Sequence, residues 1–167
     1  MSLWRHLRAI LLLPGVVTVP IPAAIIALGG AEIGWGLESP WGALPVIAGA
    51  LLILLGLGLW WATVRLFASE GEGTLAPWDP TRKLVVRGPY RYVRNPMIAG
   101  VLLVLTGEAA LFGSPWLLVW AAGFFAANAV WFPRVEEPGL TERFGSDYEA
   151  YRRAVPRWVP RRRPWSP

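Results

Sequence analysis

Long apolar segments alternate with short polar ones along the chain, and this pattern predicts membrane-spanning helices. The apolar segments cover residues 7–28, 41–64, 97–112 and 116–132. About 20 apolar residues in a helix cross the hydrocarbon core of a bilayer, so the last two segments are a little short. Only Gly113-Ser114-Pro115 separates these two, which predicts a tight antiparallel hairpin. We therefore predict an all-α, polytopic membrane protein with four transmembrane helices in one domain, residues 1–167.

The first apolar segment contains prolines that should kink its helix, Pro14, Pro20 and Pro22. A basic start before an apolar run also fits a signal peptide. The run continues past Pro14, however, and no small-residue cleavage site precedes a soluble domain. We therefore expect a retained span.

The second apolar segment contains a glycine repeat, and the third contains an ionisable residue. Gly42, Gly49 and Gly56 recur every seven residues, which gives one small face for close helix packing. Glu108 is ionisable within a span, and such residues are often functional. It lies near the hairpin tip, so reaching the far interface is the simpler interpretation.

Composition supports a membrane protein and excludes several kinds of site. The 167 residues are 54% hydrophobic and 16% charged, whereas a soluble domain has about 25% charged residues. The chain has no Cys and a single His, so disulfides, thiolate chemistry and Cys-type metal sites are excluded. We predict no metal site.

The distribution of Lys and Arg predicts the orientation in the membrane. These residues occur at positions 5 and 8, within 65–94, and from 134 onward. The positive-inside rule then places both termini and the central loop, residues 71–96, in the cytoplasm. The basic pI of 10.4 thus indicates a bilayer partner and not nucleic acid. The lack of Cys and the charge pattern suggest a prokaryotic inner membrane.

The loop of residues 71–96 and a polar C-terminal module, residues 136–160, flank the hairpin. A loop this long is usually functional. In the module, Gly145 should separate two short amphipathic helices, because Ser146-x-x-Glu149 fits a capping box. Their apolar stripe could pack on the loop or lie among lipid headgroups. It consists of Leu140, Phe144, Tyr148, Tyr151 and Val155.

The antiparallel hairpin should bring the loop and the pair Glu136-Glu137 to the same membrane face. Carboxylates beside an aromatic side chain such as Tyr90 suit a cationic, sugar-bearing ligand. From the residues alone, a salt-bridged interface between these carboxylates and nearby arginines is the more common arrangement.

Three motifs in order resemble one family. GPYRYVRNPMIAG, a hairpin, and EEPGLTERFGSDYEAYRRAVPRWVP are similar to the isoprenylcysteine carboxyl methyltransferase and phospholipid methyltransferase family. That family has an Arg-His-Pro-x-Tyr-x-Gly stretch, a two-span hairpin, a Glu-Glu pair and a Phe-Gly-x-x-Tyr-x-x-Tyr-x-x-x-Val-Pro tail. GEGTLAPWDP also looks like the GxGT-x-x-P-x-x-P element of bacterial members. The resemblance covers residues 71–160.

The resemblance implies an integral-membrane methyltransferase that uses S-adenosylmethionine and releases S-adenosylhomocysteine. The acceptor would be lipophilic and enter from the bilayer, as a lipid amine headgroup or an isoprenyl-cysteine-like carboxylate. Glu137 and Arg134 are the implied catalytic residues. The implied cofactor-binding and supporting residues are Arg82, Lys83, Leu84, Val85, Tyr90, Arg94, Asn95, Pro96, Met97, Ile98, Gly100 and Glu136.

The chain departs from the family pattern at three positions. Asn95 replaces the His and Ile98 the Tyr, and because Asn is no base near neutral pH we assign Asn95 to binding. Relatives that methylate a prenylcysteine carboxylate hold it with an Arg where this chain has Phe132. Arg134 is then the candidate for binding a carboxylate acceptor. If the acceptor is an amine, Glu137 is the candidate for removing its proton.

Two other functions fit parts of the sequence. A membrane reductase using NADPH is possible because sterol reductases look similar in fold, although no extra phosphate-binding Gly/Arg element is visible. A non-catalytic scaffold or small transporter would explain the changes at Asn95 and Ile98. No inverted repeat typical of transporters is visible.

Overall fold

The computed structural model describes residues 14–70 and 83–166. The start of the first predicted span, the GEGTLAPWDP segment and Arg82 lie outside the described residues. The helices, in chain order, are α1 (Val16–Thr18), α2 (Pro20–Gly29), α3 (Ala43–Glu70), α4 (Pro96–Phe112), α5 (Pro115–Trp131) and α6 (Glu137–Ala154). Single 3₁₀ turns cover Ile33–Gly36 and Gly88–Arg91, a π-helical turn covers Phe132–Glu136, and the described residues contain no strand.

Three stretches are long and apolar enough to cross a membrane: Val16–Gly36, Ala43–Glu70 and the apolar part of Pro115–Ala154. The protein is therefore an all-helical integral membrane protein. Helix α4 is also apolar but has only 17 residues, which is short for a full crossing. The count of four full spans stays a prediction.

The first span is interrupted at a proline, as its sequence predicts. Val19 has non-helical torsions (φ −123°, ψ −73°) directly before Pro20, and these separate α1 from α2. Thr18 donates a hydrogen bond from Oγ1 to the Pro14 carbonyl at 2.8 Å. This bond lies within the turn that precedes the break.

Helices α3 and α4 run antiparallel and touch through glycines. A Cβ on Gly49 would lie 2.6 Å from the Gly107 carbonyl oxygen, and one on Gly56 would lie 2.6 Å from that of Gly100. Both distances are too short for real side chains, so the two backbones meet. The predicted packing face is therefore present at Gly49 and Gly56, while Gly42 lies against Leu37 instead.

The hairpin between α4 and α5 turns at Gly113, which has the left-handed torsions φ 58° and ψ 37°. The segment before α3 covers this tip. The Glu32 amide bonds the Phe112 carbonyl at 2.9 Å, and Trp35 donates from Nε1 to the Ala110 carbonyl at 3.1 Å. The predicted tight hairpin is confirmed.

Helix α6 follows α5 through the π-helical turn and changes direction at Gly145 (φ 53°, ψ −130°). All five residues of the predicted stripe lie in one apolar cluster, together with Leu84, Val86 and Trp165. The stripe thus packs on the loop and the tail, which was one of the two alternatives.

The tail after α6 pairs with the segment just before α4. Backbone amides of Arg94, Arg161 and Trp165 bond carbonyls of Pro156, Tyr92 and Arg91, each at 2.9 Å. On the other side, Trp158 packs edge-on against Phe125 and Phe132, with ring centroids 5.2 and 6.0 Å apart. The tail is therefore fixed between residues 91–94 and the end of α5.

Candidate active site at the loop end of the bundle

We call the end of the bundle where α3 ends and α4 begins the loop end. Helix α3 has 28 residues, so at 1.5 Å per residue it is about 42 Å long. This exceeds the roughly 30 Å hydrocarbon core. Its last turns, Arg65 to Glu70, therefore extend past the apolar layer and form a wall beside the loop.

Glu137 is the central charged residue of the loop end, and its side chain is only 6% exposed. Its Oε1 accepts hydrogen bonds from Arg94 Nη1 at 2.7 Å and from Arg157 Nε at 2.6 Å. Its Oε2 accepts from Arg157 Nη2 at 3.0 Å. We call these three residues the clamp. The salt-bridged alternative for the Glu pair therefore holds for Glu137.

Asn95 lies next to the clamp and precedes the first turn of α4. Its torsions are non-helical (φ −119°, ψ 56°), and its side chain makes no capping hydrogen bond. The amide nitrogen Nδ2 is buried and has no hydrogen-bond partner among the described residues. Most buried polar atoms are paired, so the unpaired donor makes Asn95 a candidate for ligand binding. Pro96 is buried beside it, and Met97 and Ile98 are half-buried.

The Glu136 carboxylate differs from that of its neighbour. Glu136 ends the π-helical turn, is half-buried, and forms no ion pair with another described residue. Arg134, in the same turn, is exposed. One carboxylate of the pair is thus fixed in the clamp and the other is open to a ligand.

Tyr90 is buried behind the loop, where it contacts Phe67 edge-to-face with ring centroids 5.5 Å apart. The Tyr151 hydroxyl donates to its backbone carbonyl at 2.7 Å. Burial raises the pKa of the Tyr90 hydroxyl well above its usual value, and Tyr151 adds to the shift. Tyr90 therefore stays neutral and offers an aromatic face.

A cavity of about 840 Å³ opens at the loop end, within the size range of small-molecule sites. Lys83 and Leu84, two of the residues predicted to bind the cofactor, line it, and Val85 next to them in the chain is buried. The remaining lining residues come from α3, the loop, α6 and the tail: Ser69, Glu70, Val86, Arg87, Asp147, Ala150 and Trp165.

A family model describing phospholipid methyltransferases matches residues 44–147. The chain belongs to this phospholipid methyltransferase family. Separate searches of curated proteins and of solved structures gave no match. With its apolar helices, the protein is therefore a membrane methyltransferase.

In this methyltransferase the predicted site residues lie in different surroundings. Arg94 and Glu137 bond to each other in the clamp, with Asn95 and Glu136 next to them in the chain, whereas Lys83 and Leu84 line the cavity. Tyr148 connects the two regions, because its hydroxyl lies 3.5 Å from Arg94 Nη1 and its side chain belongs to the apolar cluster on which Leu84 packs. Gly100 faces Gly56 of α3 and acts in helix packing. The roles of all these residues toward a ligand stay predictions.

Sequence reasoning missed Arg157 of the clamp and most of the cavity lining, including Trp165. Arg157 and Trp165 both lie in the tail, and each joins a partner more than 19 residues away. Arg157 lies within the VPRWVP segment that resembles the family, and this position was a signal that could have pointed to it as a partner of Glu137. For Trp165 no local pattern gave a signal.

Proposed function

We propose that the protein moves a methyl group from S-adenosylmethionine to an amine-bearing lipid acceptor. The observation that carries the proposal is the Arg94–Glu137 bond of 2.7 Å. It holds the family-like loop against the Glu pair. In the chain, Asn95 with its unpartnered amide follows Arg94, and Glu136 precedes Glu137. The alternative is methyl transfer from the same donor to a lipid that bears a carboxylate.

The described residues fit this cofactor, whose sulfonium, amino-acid and ribose groups need both acceptors and donors. Glu136 would accept from the ammonium or a ribose hydroxyl, and Asn95 Nδ2 would donate to the carboxylate. The cavity adds the carboxylate of Asp147 and the ring of Trp165, while the Glu70 carboxylate is paired with Arg87 at 3.2 Å. Bound there, the cofactor supplies an electrophilic methyl group.

The chain's own contribution is alignment and exclusion of water, because methyl transfer needs little acid–base assistance. Leu84, Tyr148 and Tyr151 form an apolar wall beside the cavity. The clamp occupies both oxygens of Glu137 with guanidinium donors, which favours a positioning role for this residue. An amine acceptor would then lose its proton to water before it reaches the site.

The surroundings of Phe132 favour an amine over a carboxylate acceptor. Phe132 packs on Trp158, so an aromatic pair stands where carboxylate-methylating relatives hold an Arg. Arg134 is exposed in the following turn. Aromatic faces attract ammonium groups and not carboxylates.

The positive-inside rule supports a cytoplasmic site in a prokaryotic inner membrane. Lys83, Arg87 and the tail arginines all lie at the loop end, where anionic headgroups attract basic side chains. The lipid acceptor would reach this end from the surrounding leaflet.

Thermal denaturation of the purified protein in detergent tests the cofactor. A ligand that binds only the folded state raises Tm, so S-adenosylhomocysteine should stabilise the protein while NADPH leaves Tm unchanged. Stabilisation by NADPH alone would favour a reductase and overturn the proposal. No response to either would favour a non-catalytic scaffold.

Incubation with methyl-labelled S-adenosylmethionine and lipid extracts then tests the acceptor. We expect label in ethanolamine-headgroup lipids, in bonds that survive mild base. Label that mild base releases would indicate a methyl ester and hence a carboxylate acceptor. Heat-denatured protein serves as the inactive control.

A further inference from the structure

The clamp joins three separate parts of the chain. Arg94 comes from the segment before α4, Glu137 begins α6, and Arg157 belongs to the tail. Their side chains are 11%, 6% and 28% exposed. Burying charges costs free energy that their attraction only partly returns, so a buried ion pair is weak evidence for stability. The arrangement therefore invites a functional explanation.

Arg157 gives the clamp its geometry. Its Nε and Nη2 bind the two different oxygens of Glu137, at 2.6 and 3.0 Å. Such a fork fixes the plane of the carboxylate, which the single ammonium of a lysine cannot do. Arg94 then binds Oε1 of a carboxylate whose orientation is already set.

The tail also holds Arg94 through its backbone. The Arg94 amide bonds the carbonyl of Pro156 at 2.9 Å, the residue directly before Arg157. The tail thus holds the Arg94 amide directly through Pro156, and it holds the Arg94 guanidinium indirectly, because Arg157 orients the Glu137 carboxylate that binds it. The next residue in the chain is Asn95, whose buried Nδ2 has no partner among the described residues.

We propose that Arg157 is a positioning residue for methyl transfer. Acting through Glu137 and Arg94, it fixes the direction in which Asn95 presents its amide to the cofactor. Arg157 itself touches no cofactor atom. The inference rests on the proposed function, since it needs a ligand for that amide.

A double-mutant cycle on S-adenosylhomocysteine affinity tests the proposal, using the full chain in detergent. We expect Arg157→Ala and Asn95→Ala each to weaken binding about tenfold or more, the cost of one hydrogen bond to a charged group. The double variant should bind within about twofold of Asn95→Ala, because both changes remove the same contact. Arg162→Ala, which removes an exposed tail charge, should bind like wild type.

Arg157→Lys keeps the positive charge but removes the two-point contact with the Glu137 carboxylate. It also replaces Arg157→Ala as the test variant if the alanine protein does not fold. It keeps a positive charge beside Glu137, so Tm should stay near wild type while affinity still falls severalfold. Two results would overturn the proposal: wild-type affinity in the folded Arg157 variants, or losses that multiply in the double variant. If wild-type protein binds no S-adenosylhomocysteine, the proposed function fails first and this inference falls with it.

Discussion

The backbones of Gly56 and Gly100 touch, so that a Cβ on either glycine would lie within 2.9 Å of the other's carbonyl oxygen. The pair Gly49 and Gly107 repeats the contact one heptad away. Because Gly100 stands only four residues after Pro96, this contact sets the height at which α4 begins. The glycine face therefore positions the loop end as well as the helices.

Gly56→Ala should destabilise the protein, because its new Cβ meets backbone atoms of α4 that cannot move aside. Overpacking of this kind costs about 1–3 kcal/mol, and we expect Tm to fall by several degrees. Gly58→Ala in the same helix is the matched control, since a Cβ there meets nothing within 4 Å. Equal Tm values for the two variants would contradict the observed contact.

Glu136→Ala should weaken S-adenosylhomocysteine binding about tenfold while leaving Tm without ligand unchanged. The physical reason is the loss of an open carboxylate that pairs with no described residue. Isothermal titration gives the affinity, and Glu142→Ala, on the exposed side of α6, controls for net charge. Full affinity in Glu136→Ala would remove this residue from the cofactor site.

Tyr90→Phe should keep activity between pH 6 and 9, because the raised pKa keeps the hydroxyl neutral there. The neutral form is favoured in the folded state, so this group stabilises the protein below about pH 10. That stability is lost as pH rises further, when the unfolded chain ionises. Thermal denaturation from pH 8 to 11 should show a smaller loss for Tyr90→Phe than for wild type. Identical losses would argue against a buried hydroxyl.

Trp165→Ala should weaken S-adenosylhomocysteine binding, since Trp165 lines the cavity and packs on Tyr151 with ring centroids 5.6 Å apart. Stacking on a base is worth about 1–3 kcal/mol, which corresponds to a loss of about fivefold or more. Trp165→Phe should keep most of the affinity. Trp41→Ala removes a Trp that is 66% exposed, and unchanged binding is expected. Equal affinities for both alanine variants would place the cofactor outside the cavity.

The pH profile of methyl transfer should report the acceptor. An amine reacts only when neutral, and ammonium groups of this kind have a pKa near 10, so the rate should rise steadily from pH 6 to 9. A carboxylate acceptor is already ionised in this range and would give a flat profile. Arg134→Gln should change the rate less than about threefold, and a larger loss would favour the carboxylate.

Local patterns predicted most of the helices and the meeting of the loop with the Glu pair. The hairpin follows from Gly113-Ser114-Pro115, and the helix contact follows from the spacing of Gly49 and Gly56. The pattern missed the extension of α3 to Glu70 because hydropathy falls at Arg65, although these residues form helix well.

The clamp could not be assembled from local patterns. Glu137 and Arg157 are 20 residues apart, and Arg94 and Glu137 are 43 apart. From the sequence alone, Arg94 and Arg157 could each pair with any of several carboxylates. Which pair forms depends on the tail returning to residues 91–94, a path that backbone hydrogen bonds set and no side-chain periodicity reveals.

The pairing of the tail with residues 91–94 gives the site an order of assembly. During translation the loop and the Glu pair leave the ribosome before Arg157 and Trp165 do, and domains acquire structure as the chain emerges. A nascent chain that ends short of the tail lacks both the Arg157–Glu137 bonds and the bond between the Arg94 amide and the Pro156 carbonyl. The bonds from Arg157 to Glu137 are therefore among the last contacts at the loop end that can form.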